Sequence, residues 1–287
     1  MKAGRIVRII FGILFLICFF IYSSSRNDNW IHSDDVMSEM EEKIDLPEEK
    51  PVAPELPAVT EEPVPEPTPE PTPDPNSPEG RAYALGLPTP PDIDINSWEY
   101  ILVNGDHMLP ADYVPPEVVL VSESQCPVDS RIAQALMDMA EDTKAQGLSV
   151  YLSSGYRSYS EQAANFQRVC ANNGITDGKD ANGYYITWPA GASEHQTGLC
   201  CDITDRYYEI KNSSLENTEM FKYMNANCEK FGFILRFPKD KGDITGVMYE
   251  PFHFRYVGVE AATYIKENNL CLEEFVALYT GEDTSGV

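Results

Sequence analysis

The chain has 287 residues and a formal net charge of −25 at pH 7. So acidic a protein is repelled by nucleic acid, which argues against a nucleic-acid partner. The charge is uneven, because residues 1–26 carry four basic residues and no acid, whereas residues 27–79 hold 16 acids against two lysines. The length allows one large domain or two small ones.

Residues 1–26 have the pattern of a targeting segment. Basic residues precede an unbroken apolar run from Ile9 to Tyr22. At 14 residues, this run lies between a signal-peptide core of ~7–15 residues and a full membrane span of ~20. It predicts a short cytoplasmic tip and an uncleaved single-pass anchor, with the rest of the chain exported. A cleaved signal peptide is the alternative.

Residues 27–94 are acidic and rich in proline, with twelve prolines between positions 47 and 78. Proline at this density interrupts helices and strands, and the acids between the prolines repel one another. The segment is therefore predicted to be a disordered, extended stalk, on the order of 100 Å long over its proline-rich part. The alternative is a proline-rich ligand for a partner domain.

Residues 95–280 have globular composition and are followed by a short tail over 281–287. Helices and strands mix without a regular βαβ repeat, which predicts an α+β domain with a small central antiparallel sheet flanked by helices. Strands are predicted over 99–103, 149–154, 197–204, 233–236 and 254–257. Helices are predicted from Asp129 or Ser130 to Gly147, from a Ser158 capping box to about Gly174, and over 215–230. The C-terminal part, over 259–279, is predicted to be helical with a break at 268–269.

Two stretches carry the residue types of a zinc site. The first contains His195 and Asp202, and the second contains Glu250 and His253. A catalytic zinc needs three protein ligands and an open position for water, and the water needs a base. Either histidine alone would normally be structural, but together these residues predict a zinc site in a cleft on the sheet. Pro251 removes a ladder donor, so Glu250 and His253 are expected on irregular backbone.

Three blocks, in this order, resemble one family: Ser154-Gly-Tyr-Arg-Ser-Tyr-Ser-Glu-Gln162, Ser193-Glu-His-Gln-Thr-Gly-Leu-Cys-Cys-Asp202 and Glu250-Pro-Phe-His-Phe-Arg-Tyr-Val-Gly258. Over about residues 95–270 the chain is similar to the D-Ala-D-Ala carboxypeptidases of the vancomycin-resistance (VanY-like) type. Their relatives include D-Ala-D-Ala dipeptidases and L,D-carboxypeptidases.

The resemblance implies a role for each matched residue. His195, Asp202 and His253 would bind one zinc ion per chain, and Glu250 would move a proton from water to the leaving amine. Arg157 would polarise the scissile carbonyl and stabilise the developing oxyanion. Ser193 and Gln162 fall where family members hold the terminal carboxylate and amide of the substrate.

The chain departs from the family pattern at Phe252, where Trp is common, and at Cys200 and Cys201, where small residues are usual. Strand alternation puts Cys200 on the same face as Asp202, so its thiol would lie near the metal. A plain substitution of one small residue for another is the competing interpretation. Six cysteines follow the apolar run, and both free thiols and disulfides remain open.

The resemblance implies a zinc carboxypeptidase that removes the terminal D-alanine from peptidoglycan stem peptides, and we expect a monomer. The predicted anchor would hold it on the extracytoplasmic face of a bacterial membrane. Alternatives are an L,D-carboxypeptidase that trims tetrapeptide stems to tripeptides, a dipeptidase, a zinc-stabilised binding module without activity, and a wall-binding head on a stalk.

Overall fold

A computed structural model describes residues 72–206 and 211–284. The predicted anchor and most of the predicted stalk lie outside these residues. Within them, none of the helices combines the length and apolar character needed to cross a membrane. In chain order the helices are α1 (Pro78–Ala84), α2 (Ser130–Ala145), α3 (Tyr159–Asn173), α4 (Glu219–Asn227), α5 (Gly242–Thr245), α6 (Val259–Glu267) and α7 (Leu272–Thr280). The strands are β1 (Val118–Val121), β2 (Cys126–Asp129), β3 (Tyr151–Ser154), β4 (Cys200–Thr204), β5 (Phe233–Leu235) and β6 (His253–Tyr256).

The central sheet has the strand order β3-β4-β6-β5, and each neighbouring pair is antiparallel. Strands β1 and β2 form a separate antiparallel hairpin. Helices and two small antiparallel sheets confirm the predicted α+β class. In the middle of the sheet, Asp202 of β4 is paired with His253 of β6. The sheet therefore places two of the predicted ligands side by side.

Helix α2 covers one face of the sheet. The Asp129 carboxylate accepts from the backbone N–H of Arg131 at the start of the helix, which ends close to the predicted Gly147. Its buried residues at positions 132, 136, 139 and 140 have helical spacing and join a core with Cys201, Ile203 and Phe254. Helix α3 likewise begins at the predicted capping box of Ser158 and ends at Gly174 in the left-handed region.

The boundary predicted between stalk and domain was too late in the chain. Residues 72–94 lie in the described part of the chain and include α1, whose Ala82 is fully buried in a cluster with residues of α6 and α7. The Arg81 guanidinium donates to the carbonyl of Leu278, and the Tyr264 hydroxyl donates to that of Pro88. Proline at the first position of a helix costs no hydrogen bond, so Pro78 begins α1 instead of preventing it.

The strand predicted over 99–103 was wrong. This apolar stretch forms a 3₁₀ turn at Trp98–Tyr100. The carbonyls of Glu99 and Ile101 accept hydrogen bonds from the guanidinium of Arg255, at 2.9 and 2.8 Å, which satisfies them without a neighbouring strand. The helix predicted over 215–230 is also divided, because Thr218 caps a new helix by accepting from the N–H of Phe221.

Candidate metal centre and active site

His195 lies in a 3₁₀ turn, Glu194–Thr197, just before β4. Gly198 ends this turn with φ +68°, and a Cβ there would lie 2.9 Å from the backbone nitrogen of Asp129. The Nδ1 of His195 is 2.6 Å from the carbonyl oxygen of Gly155. Since a carbonyl can only accept, Nδ1 carries the proton and Nε2 has a free lone pair. This lone pair is the donor available to a metal.

Asp202 and His253 complete a set of three donors. The Nε2 of His195 is 3.4 Å from Oδ2 of Asp202, and the Nδ1 of His253 is 3.0 Å from Oδ1 of the same carboxylate. A tetrahedral zinc with bonds of about 2.0–2.1 Å has edges of about 3.3 Å between its ligand atoms. The two edges that end on the Asp202 carboxylate are close to this value, and all three predicted ligands are buried. Their residue types and these two separations are compatible with zinc.

Asp202 also contacts a cation that sequence reasoning missed. The ammonium of Lys211 is 2.6 Å from Oδ2 of Asp202. Burial opposes ionisation of Asp202, but Lys211 and His195 outweigh it and hold the pKa of the carboxyl well below its usual range. Asp202 is therefore an anion, as a metal ligand must be. Lys211 lies in a stretch of sequence with no recognisable motif, so nothing there pointed to this contact.

Glu250 lies in a tight turn that leads into β6. Its backbone carbonyl accepts from the N–H of His253, and its Oε2 is 3.7 Å from the Nδ1 of that histidine. The irregular backbone expected at Pro251 is this turn. Burial raises the pKa of Glu250 to about 7, against the opposing effect of His253. A carboxylate with a pKa near neutrality, beside metal donors, can accept and return a proton.

Arg157, Gln162 and Ser193 line the same cavity of about 400 Å³ as the metal donors and Glu250. The guanidinium of Arg157 donates to the side-chain oxygen of Gln162, whose amide nitrogen donates to the carbonyl of Trp188. Both ends of the Gln162 amide are thus engaged inside the protein. This geometry indicates that Gln162 orients Arg157. It does not favour the predicted role of Gln162 in contacting the substrate. Ser193 is buried at the cavity wall.

A buried network of ion pairs lies beside His253. Oε1 of Glu194 accepts from Arg236 and Arg255, each at 2.7 Å, and both arginines are fully buried. Arg236 also forms a bidentate pair with Glu273 of α7, at 2.6 and 2.7 Å. Oε2 of Glu194 faces Nε2 of His253 at 3.4 Å. The complete burial of both arginines and their pairing with Glu194 favour a role in orienting this carboxylate over ordinary surface ion pairs.

Three buried candidate metal donors share one cavity with the partly buried carboxylate of Glu250 and with Arg157, which is the arrangement expected of a zinc peptidase. The family profile described as VanY, D-alanyl-D-alanine carboxypeptidase, matches residues 125–259. A D-alanyl-D-alanine carboxypeptidase of Enterococcus faecalis is 38% identical over 189 residues, which cover 64% of this chain and 67% of that protein. The chain belongs to the VanY family of D-alanyl-D-alanine carboxypeptidases, which confirms the predicted family and enzyme class.

Solved structures agree with this assignment. The LdcB LD-carboxypeptidase matches with a TM-score of 0.55 and 36% identity, over 62% of this chain and 85% of that one. The vancomycin-resistance D,D-pentapeptidase VanY, solved in complex with Zn(II), matches with a TM-score of 0.54 and 35% identity, over 63% of this chain and 99% of that one. One neighbour is therefore named for an L,D and the other for a D,D activity.

Proposed function

We propose that this chain is a zinc-dependent D-alanyl-D-alanine carboxypeptidase that removes the terminal D-alanine from peptidoglycan stem peptides. The observation that carries the proposal is the meeting of Glu250, Arg157 and the three metal donors in one cavity. His195, Asp202 and His253 would hold the ion. Bound zinc supplies Lewis acidity and lowers the pKa of water toward ~7.

Side chains of the cavity would transfer the proton, stabilise the developing charge and position the metal ligands. Glu250 takes a proton from the attacking water and returns it to the nitrogen of the departing D-alanine. Arg157 faces the carbonyl oxygen on which negative charge develops, and its bond to Gln162 fixes its direction. Lys211 keeps Asp202 ionised. The hydrogen bond from Nδ1 of His195 to the Gly155 carbonyl fixes the tautomer in which Nε2 is free to bind the metal.

The charge of the cavity suits a substrate that ends in a carboxylate. Its lining includes the cations Arg157, Arg168 and Lys211 beside the acids Glu194, Asp202 and Glu250, whereas the chain as a whole carries −25. A carboxylate-terminated substrate would therefore be held by pairing with individual cations of the cavity, against repulsion by the rest of the protein. We place the reaction outside the membrane, on the basis of the basic and apolar N-terminal sequence, and we expect a monomer.

Digestion of defined stems tests the function. The full chain, in detergent, is incubated with a pentapeptide stem that ends in D-Ala-D-Ala and with the matching tetrapeptide stem, and the products are weighed. Release of one alanine from the pentapeptide alone supports the proposal. Release from the tetrapeptide indicates an L,D-carboxypeptidase, which the similarity to LdcB favours as the second candidate.

Two further outcomes separate the remaining alternatives. Release of intact D-Ala-D-Ala indicates a dipeptidase. Inactivity on every stem, by a folded chain with one zinc bound, indicates a binding module. The control is the same preparation stripped by a chelator, which should be inactive, and then reloaded with zinc, which should recover.

A further inference from the structure

Cys200 is the first residue of β4 and lies on the face of the sheet that carries the metal donors. Strand alternation puts it on the same side as Asp202 and opposite Cys201. Cys201 turns into the apolar core, where its sulfur is 3.8 Å from that of Cys126. The two neighbouring thiols therefore have different surroundings, although both are fully buried.

The sulfur of Cys200 lies among the imidazoles of the site. Its Sγ and one nitrogen from each of His195 and His253 are all within 4.8 Å of one another. A tetrahedral zinc with Zn–N bonds of about 2.0–2.1 Å and a Zn–S bond of about 2.3 Å would have nitrogen–sulfur edges of about 3.5 Å. Because the separations are at most 4.8 Å, the sulfur and the nitrogens would have to approach one another by no more than about 1.3 Å to reach this range. The cysteine is therefore part of a possible donor set with the two histidines.

A second observation is that one ring nitrogen of His253 lacks a hydrogen bond. Its ring is only 3% exposed, yet in the part of the chain that the structure describes its Nε2 has no hydrogen-bond partner. Oε2 of Glu194 lies 3.4 Å from this nitrogen and also lacks a hydrogen bond in the described residues. Because buried polar atoms without a hydrogen bond are costly, a shift of the ring that shortens this contact would be favourable, and such a shift can accompany metal binding.

We propose that Cys200 is a fourth protein donor at this centre, beside His195, Asp202 and His253. The sulfur binds the ion as thiolate, and the thiol proton passes to solvent. A fourth protein ligand would occupy the position that a catalytic zinc keeps for water, so the sulfur would have to leave the ion before water could bind there. The inference rests on the metal site of the proposed function. It also predicts a preference for ions that bind sulfur well.

Cobalt reports the ligand directly, because a thiolate bound to Co²⁺ gives a charge-transfer absorption in the near ultraviolet. The full chain in detergent is stripped with a chelator, loaded with one Co²⁺ and its spectrum recorded. The band should be present in the wild type and lost in Cys200→Ala. It should persist in Cys201→Ala, the matched control on the opposite face. Cd²⁺ should bind Cys200→Ala at least tenfold more weakly than it binds the wild type.

A band that persists in Cys200→Ala, or a wild type with one bound Co²⁺ and no such band, overturns the proposal. If Cys200→Ala does not fold, as judged by circular dichroism, Cys200→Ser serves in its place and should also lose the band. Failure of the proposal for Cys200 can be distinguished from failure of the proposed function. A missing band with normal hydrolysis by the zinc form rejects only the sulfur ligand, whereas a chain that binds no metal rejects both.

Discussion

Strands β4 and β6 have two faces that are equally buried and chemically opposite. One face presents Asp202 and His253, and the other presents Ile203 and Phe254. The first is stabilised by ion pairs, and the second by apolar packing. Side chains alternate strictly along a strand, so each residue of these strands faces either the metal site or the apolar core, and its neighbour in sequence faces the other. Changes on the two faces should therefore have different effects, one on chemistry and the other on folding.

The largest expected effect comes from Glu250→Gln. The amide has nearly the same shape but cannot accept a proton, so we expect kcat to fall by about 10³-fold, within the range attributed to general-base catalysis. Zinc content and the thermal midpoint should change little. Steady-state kinetics and metal analysis make the comparison, with Glu219→Gln as a control at an exposed glutamate of α4. A variant that retains near wild-type kcat would show that Glu250 is not the base.

The next largest effect should come from Glu273→Gln, behind the metal-bearing face. Arg236 is fully buried, and this change removes one of its two carboxylate partners. Leaving a buried charge partly unpaired should lower the free energy of unfolding by about 3 kcal/mol. Urea denaturation measures the loss, and Glu216→Gln at a surface pair with Lys239 is the control, with no measurable change expected. Equal stability of the two variants would mean that the network contributes little to the fold.

The sequence predicted the site better than its surroundings. His195, Asp202, Glu250 and His253 occur within short blocks, and their spacing reflects local geometry: a turn into a strand and a turn before a strand. Lys211 and Glu273 act through contacts that only the folded chain creates. A charged side chain on its own gives no sign that it will be buried, and this is why neither residue was found.

The same limit explains the errors in the fold. The apolar stretch 99–103 has strand composition, but its carbonyls are taken by Arg255, which is far away in the sequence. The helix α1 was missed because proline-rich composition indicated a stalk, and its stability depends on packing against α6 and α7. By contrast, α2 and α3 were predicted well, because their start signals and helical spacing are local.

The pH dependence should sharpen the assignment of Glu250. Its pKa is raised to about 7 by burial, and the base is active only when ionised, so kcat/KM should fall about tenfold per pH unit on the acid side of its midpoint. Bound zinc adds positive charge nearby, which lowers the midpoint to 7 or below. A midpoint clearly above 7 would contradict the assignment. Metal content measured at each pH separates protonation of Glu250 from loss of zinc.

The same raised pKa makes a prediction about stability without metal. A carboxyl whose pKa is higher in the folded than in the unfolded chain binds more protons when folded. Stability therefore falls as pH rises from the ordinary value of 4.5 through about 7. Glu250→Gln removes this penalty, so the metal-free variant should be more stable than the metal-free wild type at pH 8 and lose that advantage at pH 4. Thermal melts at both pH values test the sign.

The smallest expected effect tests the opposite face. Ile203 is fully buried between Asp202 and Thr204, and its N–H donates to the carbonyl of Phe252. Ile203→Val removes one methyl group from the core and leaves this backbone bond intact, so we expect a loss of about 1 kcal/mol in the free energy of unfolding. Because the side chain points away from the metal donors and the backbone bond is kept, kcat/KM should stay within about twofold. Urea denaturation and kinetics on the same preparation measure both. A tenfold loss of activity would show that packing behind β4 sets the position of Asp202, and that the two faces are coupled.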